Sequence, residues 1–387
     1  MSDLLKERNT ALDGLRGFAM LLVFLWHCTF LGTNTVLDRL FLEVLHYSWI
    51  GMHMFFALSG FLITGILLDS KTNDGYFGNF YARRFLRIFP LYYLVLAISF
   101  FVLPHLHHAK AERFAAIAGD EWSYWLYVSN FTIAKAGQWR HAIVDVSWSL
   151  AVEEQFYIVW PLVVYMLSLK GVARVCYATL AVAFATRLYL TLEGGNEMLV
   201  YVSTVTRCDA IAAGAIAAIV LRDPGRFHAL LHRYRIPALY VATAGMFALL
   251  AYTGGDYDRP LAMIAGHGIV AVFSGLLILN LVRPPSGSKL VACFNWAFFR
   301  MVGKYSYAIY LFHLPLRAVI RDLLYPPSAY LTLWGSALPG QIIFYILSGA
   351  FVLSAAWLSF HLFESKFLGL QKYFKPDPGI VAPALVR

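Results

Sequence analysis

The apolar residues of this chain come in long runs, not in strand-like alternation. Stretches such as 211–221, 262–282 and 344–362 carry almost no formal charge. Runs of roughly 17–23 apolar residues are what a helix needs to cross a hydrocarbon core. The runs and the breakers between them predict ten spans, near 14–33, 48–69, 89–104, 147–168, 172–191, 200–221, 236–253, 260–282, 302–322 and 340–363. Trp122–Thr132 is apolar and aromatic but too short to cross easily, so it reads as re-entrant or interfacial. The predicted fold class is all-α, a polytopic integral membrane protein.

Composition supports that reading. The chain is 60% hydrophobic and only 14% charged, whereas a soluble domain is about a quarter charged. The net charge of +9 sits mainly in short segments between spans, where it sets topology and does not mark a nucleic-acid partner. With Trp122–Thr132 left uncrossed and the N-terminus inside, Arg83/Arg84/Arg87, Lys170/Arg174, Arg222/Arg226/Arg233/Arg235, Arg283/Lys289/Arg300/Lys304 and Lys366/Lys372/Lys375 all face the cytoplasm. Both termini are therefore expected on the cytoplasmic side. The first apolar helix, about Leu15–Leu31, has no cleavage pattern after it and is read as a retained span.

The organisation expected is a cytoplasmic segment 1–13, a transmembrane domain 14–366 and a cytoplasmic tail 367–387, with the tail after Phe374 disordered. Cys28, Cys176, Cys208 and Cys293 lie in or beside apolar segments and read as small buried side chains. His105, His107 and His108 share one outer connection, read as a solvated loop and not as a metal site. No metal is expected.

Ionisable groups inside spans are costly, which makes each a functional candidate. The first helix holds Asp13, Arg16 and His27. At about 100° per residue, Arg16 and His27 fall within roughly 20° of one face and about 16 Å apart along the axis. A neutral imidazole there can accept a hydroxyl proton; a hydrogen-bonded core histidine fits the same pattern equally well. A second cluster, Ser147–Tyr157, places Glu153, Glu154 and Gln155 in one span. At least one of these carboxylates must face a polar cavity or partner. Helical rise puts Glu153 roughly 9 Å below the outer edge, near the depth of His27. A carboxylate at that level can orient the imidazole; a polar clamp between helices is the alternative.

The third cluster is Arg83, Arg84 and Arg87, at the mouth of the third span. Positive-inside anchoring would use basic residues here. Three arginines in five residues also suit bidentate phosphate capture, and with Arg16 they can grip a polyanionic donor. Weaker features are an Arg207–Asp209 intramembrane pair, small residues Ser59-Gly60 for close helix packing, and a buried His313 on an aromatic-lined helix.

Five strings stand in order: Leu12-Asp-Gly-Leu-Arg-Gly17 leading to His27, Phe55–Ile63, Arg83–Pro90, Ser149–Tyr157 and Tyr307–His313. Together the sequence resembles the acyltransferase-3 family of integral-membrane O-acyltransferases, over roughly residues 10–365. The resemblance implies a ten-helix core in a bacterial cytoplasmic (inner) membrane. It implies transfer of an acyl group, commonly acetyl, from acyl-CoA to a hydroxyl of a carbohydrate, lipid-linked glycan or glycosylated small molecule. The family's Arg-x10-His pattern falls on Arg16 and His27, and its Arg-x-x-Arg pattern on Arg84 and Arg87, which makes His27 the leading catalytic residue. Many members carry an added esterase-like domain. This chain holds no Gly-Asp-Ser string, so a stand-alone member is expected. The rival expectation is a transporter or flippase for a small acylated molecule, its buried polar groups lining a path.

Overall fold

The computed structural model describes residues 9–106, 119–141, 143–223, 225–256 and 258–374. Residues 107–118, which include His107 and His108, and the tail from residue 375 lie outside that description. The long helices are α1 (Thr10–His27), α2 (Val36–His46), α3 (Ile50–Ser70), α4 (Tyr76–Ala97), α5 (Ser147–Met166), α6 (Leu169–Leu192), α7 (Thr204–Val220), α8 (Arg235–Thr253), α9 (His267–Val282), α10 (Ala297–Val319) and α11 (Leu338–Ser359). Among the described residues the one β feature is an isolated bridge, Leu333–Ser336.

Among the described residues, seven helices are long and apolar enough to cross a membrane by length and composition. The long helices outside that set, α1, α5 and α10, are the ones that carry His27, the Glu153/Glu154 pair and His313. Their polar residues lower their hydropathy and also supply the candidate chemistry. Trp122–Thr132 falls on two short helices, Glu121–Trp125 and Ser129–Ala136. Gln155 ties this segment to α5, donating to the Tyr127 carbonyl (2.9 Å) and to Asn130 Oδ1 (3.0 Å).

Two helix boundaries differ from expectation in ways that move site residues. α1 starts at Thr10, capped by the Asn9 side chain, and stops at His27, so the imidazole stands at the helix C-terminus. α4 starts at Tyr76, directly after Gly75 in the left-handed region (φ 75°). Arg83, Arg84 and Arg87 are its eighth, ninth and twelfth residues, so they lie within the helix and not ahead of it.

Hydrogen bonds give the helix directions. Thr10–Asn295 and His27–His313 are separated by 285 and 286 residues, a near-constant offset that makes α1 and α10 parallel. Ser59–Glu153 and Thr64–Trp160 are offset by 94 and 96, so α3 and α5 are parallel. His53–Arg207 and Asp69–Arg222 are offset by 154 and 153, so α3 and α7 are parallel too. α1 and α10 thus run the same way, as do α3, α5 and α7.

Glycine sets the closest approaches. A Cβ on Gly17 would lie 1.9 Å from the Phe299 carbonyl oxygen, and one on Gly303 would lie 1.9 Å from that of Asp13. Gly60 and Gly214 play the same part between α3 and α7, as the Ser59-Gly60 pair suggested. The expected Arg207–Asp209 pair is not formed. Asp209 binds Arg187 at 2.7 Å, while Arg207 turns to His53 and His267. The two neighbours on α7 are two residues apart and point to different helices.

Candidate active site

The Gly17–Gly303 contact determines what His27 meets. Ten residues separate Gly17 from His27, and ten separate Gly303 from His313. On parallel helices that spacing brings both imidazoles to one level, about 15 Å from the glycine crossing. His27 Nδ1 lies 2.8 Å from His313 Nε2, and the rings are stacked with centroids 5.0 Å apart.

The other nitrogen of His313 fixes the proton positions. His313 Nδ1 lies 2.6 Å from the Tyr310 carbonyl oxygen, which can only accept. A neutral His313 therefore carries its proton on Nδ1 and offers a lone pair at Nε2. His27 Nδ1–H donates to that lone pair, which leaves the free lone pair of His27 on Nε2. Among the described residues no group occupies this Nε2. His313 is fully buried, whereas His27 is half-buried.

Neighbouring elements hold the pair. The Tyr310 hydroxyl lies 2.7 Å from both the Val146 carbonyl and Ser149 Oγ, joining α10 to the start of α5. Gln341 of α11, itself buried, donates to the Cys28 carbonyl (3.0 Å) and accepts from the Phe30 amide (2.8 Å). These bonds satisfy backbone groups that the C-terminus of α1 would otherwise leave open. Thr29 Oγ1 donates to the Leu25 carbonyl (2.6 Å) and so accepts from the Tyr345 hydroxyl (2.6 Å).

The hydrogen bond expected between Glu153 and His27 is absent. Glu153 accepts from Ser59 Oγ at 2.7 Å and from the Tyr157 hydroxyl at 3.3 Å. It is Ser149, one turn earlier on α5, that reaches the level of Tyr310. Helical rise from a guessed membrane edge cannot resolve one turn, which is about 5.4 Å. Glu153 instead lies within electrostatic range of Arg16 and Arg84, and buried Glu154 lies near Glu153 and Arg84.

Those contacts define a second station, which we call inner because it lies nearer the start of α1 than His27 does. Arg87 is in electrostatic range of Arg16, Arg84 and Asp13. Arg16 Nη1 is 3.6 Å from Asp13. The Arg84 guanidinium lies 5.8 Å from the Phe80 ring centroid and 6.0 Å from that of Tyr157. Arg83 is half-buried on the same helix, and its carbonyl accepts from Gln371 at 3.0 Å. Three arginines from two helices thus converge below the imidazole pair. Among the described residues no group of His, Cys, Asp or Glu is arranged to hold a metal ion.

Reading along the chain had placed His313 in an aromatic-lined helix but did not connect it to His27. The shared ten-residue spacing from a glycine was the available signal, and it has meaning only once α1 and α10 are known to pack in parallel.

Known proteins resemble this chain over most of its length. The chain is 32% identical over 326 residues to a Bacillus subtilis protein named "Putative peptidoglycan O-acetyltransferase YrhL". It is 27% identical over 335 residues to a peptidoglycan O-acetyltransferase of Listeria monocytogenes, and 26% over 319 residues to an O-acetyltransferase of Staphylococcus aureus. Each alignment takes in 79% of this chain but only 48%, 49% and 50% of the respective relative, so the chain spans about half the length of these proteins. No solved structure matches it. The model of the acyltransferase domain family matches residues 9–361, which include both stations, and the chain belongs to that family.

Proposed function

We propose that this chain is a membrane O-acyltransferase that moves an acyl group, most simply acetyl, from acyl-CoA to a hydroxyl of a carbohydrate acceptor, with His27 as general base. The observation that carries the reading is the state of the His27 ring. Its Nδ1 proton is committed to His313, and its Nε2 lone pair is unoccupied on a half-buried face. A base needs that combination: one nitrogen fixed in direction, the other free to receive a proton.

In this reading the CoA phosphates sit against Arg16, Arg84 and Arg87, with Arg83 at the edge, where planar guanidinium groups pair with phosphate oxygens. The thioester arm extends along α1 toward His27, a rise of roughly 16 Å. The acceptor hydroxyl gives its proton to Nε2 as its oxygen bonds to the acyl carbonyl carbon. The carbon–sulfur bond then breaks, and the departing thiolate takes the proton from the imidazolium. His313 orients the ring, the role first expected of Glu153 or Glu154. Those carboxylates act instead at the inner station, setting the positions of Arg16 and Arg84. The C-terminal carbonyls of α1 favour the positive charge that develops on His27.

The ten crossings, both termini cytoplasmic and placement in a bacterial cytoplasmic membrane belong to the same proposal. They are supported by the helix directions and the basic connecting segments. The relatives' names make peptidoglycan glycan the first acceptor to try.

The test uses detergent-purified wild type and His27→Ala with labelled acetyl-CoA, scoring transfer to glycan acceptors and release of CoA. Wild type should transfer label, and the variant should lose about 10²- to 10⁴-fold in turnover while still inserting and folding. Equal transfer by the two would remove His27 from the mechanism. If wild type neither transfers label nor releases CoA, the donor or acceptor is wrong or a partner protein is missing, and the reading as a transport path gains ground.

A further inference from the structure

The outer station holds a charged group that the proton transfer does not use. Arg317 is four residues beyond His313 on α10, so the two share a helix face. Its guanidinium is in electrostatic range of both His27 and Cys28. It lies 5.3 Å from the centroid of Phe30, whose amide Gln341 holds in place. Arg317 therefore shares a helix face with His313, the partner of the base, and lies against the ring of a residue whose backbone is itself pinned.

Arg317 lacks a counter-charge; buried Arg207 lacks one too, but it is enclosed by His53, His267 and three aromatic rings. Arg187 is paired with Asp209 at 2.7 Å, Arg222 with Asp69 at 2.5 Å and Arg140 with Asp120 at 2.7 Å. Its neighbour Arg321, 5.5 Å from the same Phe30 ring, is bound to Asp322 at 2.6 Å. Among the described residues neither a carboxylate nor a hydrogen-bond acceptor pairs with Arg317. A half-buried guanidinium with no anion costs stability unless a ligand supplies one. The base, the ring under the guanidinium and the missing anion are all at one place.

We propose that Arg317 is a further catalytic residue, donating to an anionic oxygen beside His27: the acyl carbonyl oxygen as the acceptor hydroxyl adds to it. As that carbon–oxygen bond forms, the carbonyl π electrons move onto the oxygen, and the charge returns to form the double bond as the thiolate leaves. A fixed cation at that oxygen stabilises the addition step more than the ground state. An anionic group on the acceptor offers the same oxygen chemistry from a second source, and the experiment separates the two. The inference rests on the function proposed above.

The experiment compares Arg317→Gln, Arg317→Lys and Arg317→Ala with wild type and His27→Ala, using acetyl-CoA with an uncharged sugar acceptor and with a carboxylate-bearing one. Size-exclusion profiles and thermal unfolding in detergent establish that each variant is folded. The expected result for Arg317→Gln is a loss of about 10²-fold in turnover with both acceptors and little change in either KM. Lysine should restore part of the rate, and added guanidinium should rescue the alanine variant. A raised KM for the carboxylate-bearing acceptor alone, with turnover on the uncharged one intact, would assign the anionic oxygen to the acceptor and overturn the carbonyl assignment. Turnover and KM at wild-type levels with both acceptors would overturn the proposal outright. Should His27→Ala keep full activity, the reading of the whole site fails; if it is inactive while the Arg317 variants are unaffected, only this inference fails.

Discussion

Two pairs of stacked imidazoles lie among these helices, alike in geometry and unlike in surroundings. In the outer pair, His27 and His313 approach to 2.8 Å with ring centroids 5.0 Å apart. In the other, His53 and His267 approach to 3.0 Å with centroids 5.1 Å apart. Both His53 and His267 are fully buried, and the Arg207 guanidinium reaches them from α7 at 3.3 and 2.7 Å. That guanidinium is in turn enclosed by the rings of Phe56, Trp148 and Tyr201. With Arg207 the second pair joins α3, α7 and α9, and its unpartnered nitrogen, His53 Nδ1, is fully buried. An imidazole pair is therefore not in itself a catalytic signature. Access to one nitrogen, and a partner that fixes the proton on the other, make the difference.

The comparison can be broken at its base by Gly303→Val. The new side chain would meet the Asp13 carbonyl, so α1 and α10 must part and His27 loses its partner. Transfer should vanish, and thermal unfolding should show a loss of at least about 1–3 kcal/mol from overpacking. A fully active Gly303→Val protein would mean that the parallel register does not build the site.

His313→Phe keeps a ring but removes the acceptor for His27 Nδ1. Turnover should fall by about 10²- to 10⁴-fold, as when the orienting partner of a catalytic histidine is lost. The apparent KM for the donor should hold, because the arginine cluster is untouched. His313→Gln, whose amide oxygen can still accept, should recover part of the rate. A fall in stability with no kinetic split would reduce His313 to packing.

His267→Ala should have the smallest effect on turnover and a measurable one on stability. Removing an acceptor from buried Arg207 should cost about 1–3 kcal/mol in unfolding, while transfer per folded molecule stays unchanged. Activity lost in a fully folded His267→Ala protein would erase the distinction between the two pairs.

Much of this was legible along the chain. Each predicted span overlaps a long helix, because apolar length is a property of consecutive residues, but the boundaries shift by up to 13 residues, as at 89–104 against Tyr76–Ala97. Arg16 and His27 stood out because charge inside an apolar run is costly, and Arg83, Arg84 and Arg87 because three arginines in five residues suit phosphate capture. The partners were not legible. Glu153 was matched to His27 by depth and instead bonds Ser59 and Tyr157. Asp209 was matched to Arg207 by proximity in sequence and instead binds Arg187.

By itself, then, the sequence determined the medium, the helices and the residue types that can carry acyl transfer, since those depend on local composition and periodicity. Only the tertiary structure decided which imidazole is free. That depends on the register of two helices 286 residues apart, set by a backbone contact at Gly17 and Gly303 that periodicity does not record.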